Sequence, residues 1–188
     1  MKALQSYTDE QLMDLLKDKS ILAFEELYLR YSQKLLALMS KMLNHNESLA
    51  QDLLHDTFLK LIEKPEVFNT QRKFKPWIYS VVANACRKTY RIKVMANIET
   101  VETAAFETEM PHQVERQLDT FRSALNKALD EISYVHKETF VLKHQHGLSI
   151  KDIAGVLGCA EGTVKSRLHT ARKILADKLK THHPKSTI

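Results

Sequence analysis

Residues 147–173 read "GLSIKDIAGVLGCAEGTVKSRLHTARK". Two short helical patterns meet here at a glycine. Ser149, with Asp152 three residues later, forms a capping box that starts a helix over about 150–157. That helix ends at Gly158. A second helix runs from about Glu161 to Lys180. The pair has the dimensions of a helix-turn-helix. On a wheel at ~100° per residue, Val164, Leu168, Ala171 and Leu175 share one side and face a core. Ser166, His169 and Lys173 fall opposite. Lys165 and Arg172 flank them on one edge and Arg167 lies on the other. Between 165 and 180 the only acid is Asp177.

A cationic face just after such a turn predicts a helix lying in the major groove of DNA. Lys165, Ser166 and His169 come early on the outer side, where base edges are within reach. Arg167, Arg172 and Lys173 suit phosphates. A merely solvated basic helix would show the same residue types. The turn and the capped preceding helix favour the groove.

The charge of the whole chain is arranged to match. Residues 1–91 hold 14 Lys/Arg against 11 Asp/Glu, residues 92–115 one Lys against five Glu, and residues 116–180 12 Lys/Arg against seven acids. Two basic blocks flank an acidic connector, and basic blocks suit a polyanion. With 188 residues, the chain has room for one domain or two small ones. Four Gly and four Pro are too few for the turns of an all-β fold. The short apolar runs exclude a membrane span. There is no signal-peptide core, so a cytoplasmic location is expected. Cys86 and Cys159 lie far apart in helical patterns and read as small buried residues in a reducing compartment.

Elsewhere the periodicity is helical almost throughout. Thr8 and Gln11 form another capping box, and the helix it starts reaches about Lys17. Residues 21–44 form a long amphipathic helix. A third runs from about Glu47 to Glu63 and stops near Pro65. "EVFNTQRKFK" (66–75) reads as a polar loop, and Pro76 suits the first turn of a helix reaching about Lys93. Residues 94–115 lack sustained periodicity and read as a linker. Helices from about Val114 to Glu131 and over 133–146 complete the pattern. The expected division is a domain over 1–93, the acidic linker 94–115, a second domain over 116–180 and a tail, 181–188.

In the helix 77–91, Ile78, Val82 and Ala85 share one side. Trp77, Ser80, Asn84, Arg87, Lys88 and Arg91 share the other. The chain's only Trp thus sits among cations. It is either a half-buried edge residue or a stacking surface beside a phosphate track, as single-stranded nucleic acid requires. The preceding loop, Asn69, Thr70, Gln71, Arg72 and Lys73, offers amides and a hydroxyl to an extruded base. In the helix 47–63, Leu54, Phe58 and Leu61 point inward. Asp52, Asp56, Leu59 and Glu63 line the outer side, a face suited to a basic protein helix.

Chemistry of other kinds is not indicated. The nine His include His144, His146, His182 and His183, but no carboxylate pair or Cys cluster joins them into a metal site. No nucleophile with a partnered base is visible. The reading is a non-enzyme with no cofactor.

Four stretches together, "AFEELYLRYSQKL", "LAQDLLHDTFLKLI", "FKPWIYSVVANACRK" and the opening block, resemble the extracytoplasmic function (ECF) sigma factors, group 4 of the sigma-70 family. The resemblance covers roughly 21–93 and 118–178. It implies an all-α chain of two small helical domains, sigma region 2 and the region 4 helix-turn-helix, on a flexible linker. The implied function is to bind core RNA polymerase and direct promoter recognition, melting and transcription initiation. By resemblance, Asp52, Asp56 and Leu59, with Glu63 on the same face, meet the β′ clamp helices. Residues around 134–142 meet the β flap. Asn69–Lys73, Trp77, Asn84, Arg87 and Lys88 take the −10 non-template strand. Lys165, Ser166, Arg167 and His169, with Arg172 and Lys173, bind the −35 duplex. An anti-sigma factor is an implied partner. His55 stands where the family often has Gln or Glu. The alternative is a helix-turn-helix regulator of the response-regulator type, binding duplex DNA only.

Overall fold

A computed structural model describes residues 4–96 and 113–180. Among them are eight α-helices and no strand. The first domain holds α1 (Asp9–Lys17), α2 (Ile21–Met42), α3 (Glu47–Glu63) and α4 (Phe74–Ala96). The second holds α5 (Gln113–Asp130), α6 (Tyr134–His144), α7 (Ile150–Leu157) and α8 (Glu161–Leu179). Of the expected linker, 97–112 lies outside the described residues, as does the tail 181–188 with His182 and His183. Helix α4 continues to Ala96 and α5 begins at Gln113.

Local signals set the helix ends. Thr8 accepts from the Gln11 amide while the Gln11 side chain accepts from the Thr8 amide, closing the first capping box. Ser149 and Asp152 make the second. Gly158, at φ 63°, caps α7 in the left-handed conformation that glycine adopts without a Cβ clash. Asn46 caps α3 through the Leu49 amide at 2.9 Å.

The first domain packs α2 against α1, α3 and α4. Leu27, Leu35, Leu38 and Met39 of α2 are fully enclosed. The Arg30 guanidinium ties the N-terminus to α2, donating to the Tyr7 carbonyl and to Asp9 and Glu26, each bond between 2.8 and 2.9 Å. An aromatic cluster fills the end where α3 hands over to α4. The rings of Phe68 and Phe74 meet edge to face at 5.3 Å, and Tyr31 meets Phe74 likewise.

That cluster corrects one expectation. The segment after α3 is not simply a polar loop. Pro65–Val67 is a turn of 3-10 helix, and Phe68 is 1% exposed. One aromatic residue, placed by the turn, anchors a stretch whose other residues are mostly polar.

A second correction concerns α4. The wheel puts Ile78, Val82 and Ala85 on one buried side, yet Ala85 is only half-buried while Tyr79, Ala83 and Cys86 are buried. The helix is covered along a second stripe as well, because α7 packs against it. The two domains share a continuous core in which Val141, Leu148, Ile153, Val156 and Val164 join the residues of the first domain. A smaller core, with Leu129, Ala171 and Leu175, holds α5 on α8. The cysteines divide. Cys86 is buried, which pushes its thiol up to about 12, whereas Cys159 is half-buried in the turn between α7 and α8.

Phe74 starts α4 and meets the rings of Tyr31, Phe68 and Trp77. Phe74→Ala is expected to lower unfolding free energy by about 3–5 kcal/mol, measured by chemical denaturation followed by circular dichroism.

Candidate nucleic-acid interface

Helix α8 presents its cations because its apolar positions are consumed inside. Val164, Leu168, Ala171 and Leu175 are all buried. Lys165, Ser166, His169, Arg172 and Lys173 are exposed. Arg172 Nη2 comes within 3.4 Å of His144 Nε2 at the end of α6. Arg167 departs from the expected phosphate row. It is half-buried, and its charge acts on the carboxyl of Glu138 in α6.

The loop before α4 is a built turn. Asn69 Oδ1 accepts from the Gln71 amide and the Asn69 carbonyl from the Arg72 amide, each at 2.9 Å. Part of the Asn69 side chain is therefore committed to the loop's own shape. Gln71, Arg72 and Lys73 are exposed and Thr70 is half-buried. Glu10, for which no local sequence signal suggests a role, accepts from the Phe74 amide at 2.8 Å and so fixes where α4 begins. Glu10, Thr70, Gln71, Arg72 and Lys73 line one side of a cleft of 460 Å³. Gly147, Leu148 and Asp152 of the second domain close its other side.

Trp77 is half-buried against Phe68 and Phe74, with ring centroids 5.0 and 5.6 Å away. Beyond it, Asn84, Lys88 and Arg91 lie on the outer part of α4, all three exposed. Ser80 and Arg87 are half-buried. Arg87 Nη2 donates to Asn84 Oδ1 at 2.9 Å and to the Val156 carbonyl of the second domain at 3.1 Å. Its Nε lies 3.4 Å from Glu138 Oε1. On α3, Asp52, Asp56, Leu59 and Glu63 are exposed, with Leu59 at 54%.

The expected apolar surface over 134–142 is mostly interior. Lys137, Glu138, Thr139, Val141 and Leu142 are buried, with only Val135 an exposed large apolar residue in that stretch. Helix α6 is enclosed by α2, α7 and α8, so its sequence pattern could not reveal how much of it faces water. Lys137 answers its burial with Asp130 at 2.6 Å.

Two titratable groups on this seam, the buried Glu138 and the half-buried His146, were not visible in the sequence. Burial pushes the Glu138 carboxyl up to about 7 against the opposing pull of Arg87 and Arg167. Burial, reinforced by Lys75, Lys41 and Lys34, brings His146 down to about 4, and its Nδ1 is 3.0 Å from the Tyr79 hydroxyl. The adjacent polar residues Lys137, Glu138 and Thr139 on α6 were the one available signal.

Their effects on stability oppose each other. The folded state holds the Glu138 proton more tightly, so this group favours folding as pH falls from 7 toward its ordinary 4.5. The unfolded chain holds the His146 proton more tightly, so that contribution is lost as pH falls from the ordinary 6.5 toward 4. Glu138→Gln removes only the first. Its Tm is expected to exceed the parent's above pH 7, with the excess shrinking toward parity by about pH 5, read by calorimetry across that range. A Tm difference independent of pH would refute the buried-carboxyl assignment.

The comparisons with known proteins cover both domains. The sigma-70 region 2 family matches residues 27–93 and the sigma-70 region 4 family residues 122–175. RNA polymerase sigma factor CarQ of Myxococcus xanthus is 29% identical over 169 residues, 89% of this chain and 95% of that protein. ECF RNA polymerase sigma factor SigL of Mycobacterium tuberculosis is 33% identical over 129 residues, 67% of this chain and 72% of that one. Among solved structures, sigma factor RpoE of Bartonella quintana, in complex with the anti-sigma factor NepR, superposes with a TM-score of 0.67 at 27% identity, over 84% of this chain and 96% of that one. CnrH, in complex with the cytosolic domain of CnrY, gives 0.68 at 23% identity over 92% and 97%, a likeness of fold. A regulator binding duplex DNA alone is not favoured, since the match extends through most of the first domain. Two regions in order, on an all-helical chain, place it in the sigma-70 family: it is an ECF sigma factor, an alternative factor directing transcription initiation.

Proposed function

We propose that the two domains divide promoter recognition between duplex and single-stranded DNA. Helix α8 reads the −35 duplex, with Lys165, Ser166 and His169 at base edges and Arg172 and Lys173 on phosphates. Arg167 joins the phosphate contacts if the side chain turns away from Glu138. In the first domain, the loop Asn69–Lys73 accepts an extruded base of the −10 non-template strand. Trp77, Asn84, Arg87 and Lys88 follow that strand. The observation that carries the reading is the sorting of α8, with four apolar residues inside and five polar or cationic ones exposed.

The outer face of α3, with Asp52, Asp56, Leu59 and Glu63, docks on the β′ clamp helices of core RNA polymerase. An exposed Leu between carboxylates supports this, being apolar enough to anchor and acidic enough in its surroundings to select a basic partner. The β flap would be met through the end of α6 near Val135, the exposed large apolar residue of that helix. An anti-sigma factor is the further partner, by likeness to the RpoE–NepR complex. The chain brings no catalytic group and needs no cofactor. It acts in the cytoplasm, where the polymerase works. No helix among the described residues is long and apolar enough to cross a membrane.

Melting costs ~1.4 kcal/mol per stacking step on average. Capture of one flipped base and the open strand offsets part of it. Transcription in vitro with core polymerase on a promoter library tests the proposal, and no start at any template would overturn it. Lys165→Ala with Ser166→Ala is expected to weaken −35 duplex binding by about 1–3 kcal/mol for each base-edge interaction removed, with altered promoter choice as the readout. Asp56→Lys is expected to abolish assembly with core polymerase in a pull-down while leaving helicity intact.

A further inference from the structure

Helix α4 begins without a cap of its own. The amides of a first helical turn have no acceptor inside the helix. Lys73 stands immediately before Phe74, and an ammonium only donates. The first turn holds no acidic residue, and Pro76 brings no N–H. The acceptor comes instead from α1, 64 residues away in sequence, where Glu10 Oε1 takes the Phe74 amide at 2.8 Å.

Glu10 stands on a braced support. Its neighbour Asp9 accepts from the Arg30 guanidinium at 2.8 Å and from the Tyr31 hydroxyl. The Tyr31 ring meets the Phe74 ring at 5.3 Å. Asp9, Glu10, Phe74 and Tyr31 thus close a ring of contacts that joins α1, α2 and α4. Phe68, at the other end of the loop, packs edge to face on the same Phe74 ring. The loop Asn69–Lys73 therefore leaves the core at Phe68 and returns to it at Phe74, and Glu10 fixes the return. Gln71, Arg72 and Lys73 stay exposed between these two anchors.

We propose that Glu10 is a positioning residue for strand capture: by capping α4 from α1 it sets the shape of the loop that receives an extruded base. It touches no DNA and acts through the Phe74 amide. This rests on the base-capture reading of the loop. Phe74 is buried, so an amide that loses this acceptor is poorly repaid by water. The loop then spreads over several conformers, and affinity for the base falls with the fraction that matches it.

The test uses the full chain assembled with core RNA polymerase and a fluorescent single-stranded DNA that this assembly selects from a random pool. An abasic site is moved along the strand one position at a time. The parent is expected to show a position where loss of the base weakens binding most. Glu10→Ala is expected to reduce that base-dependent gain about fivefold, the size of a lost helix cap. The strand that is abasic there is expected to bind parent and variant alike. Glu10→Gln keeps an acceptor for the Phe74 amide and is expected to retain the gain. In the free chain, Glu10→Ala but not Glu10→Gln is expected to speed hydrogen exchange at Phe74 and Gln71 with helicity unchanged. Should Glu10→Ala fail to fold, Glu10→Leu, of similar size and without an acceptor, decides. Equal weakening of the intact and abasic strands marks a merely structural role and overturns the inference, as does Glu10→Gln behaving like Glu10→Ala. If the parent shows no base-sensitive position, the base-capture reading of the loop falls and this inference with it, whatever the exchange at Phe74.

Discussion

Helix α4 is packed along two sides, and a helix has little surface left after that. Ile78 and Val82 enter the first domain's core, while Tyr79, Ala83 and Cys86 widen the buried surface toward the second domain. What remains is the strip of Asn84, Lys88 and Arg91. Arg87 stands at the border, where its charge meets a carboxyl that burial has already driven toward neutrality. Taking the Glu138 carboxylate out of water costs more than one imperfect ion pair with a half-buried Arg87 returns. The seam therefore owes its cohesion to apolar contact.

The two basic helices consequently differ in kind. On α8 Lys165, His169 and Lys173 stand on an exposed face, since the core claims the opposite one. On α4 several of the same residue types are engaged with their own chain. Fields from exposed charges on both helices attract a polyanion at long range. On α4 it is Arg87 whose release breaks contacts between domains.

Much of the fold was legible in the residues themselves. Periodicity, two capping boxes and Gly158 place the helices within a few residues, because these signals act within one or two turns of chain. The sorting of α8 and of the outer face of α3 follows from the wheel for the same reason. The burial of Phe68, the second stripe on α4, and Glu10 at the start of α4 were not legible. Each depends on a neighbour distant in sequence, as when Glu10 reaches the Phe74 amide. The inward turn of Arg167 and the engagement of the Asn69 side chain in its own turn were equally hidden, since a wheel assigns a side and says nothing of partners.

Residue order alone determined that this chain is helical, that it has two basic parts with an acidic stretch between them, and which motifs tie it to the sigma-70 family. Those properties arise from local backbone preference, apolar spacing and formal charge, all of which are written in the chain. Tertiary structure decided which polar groups are free. Lys137, Glu138, Thr139 and His146 are of types that ordinarily face water, and they are wholly or partly interior in the packed chain. The physical reason is that exposure and protonation belong to a whole packed arrangement, because water is excluded by surfaces from both partners at once.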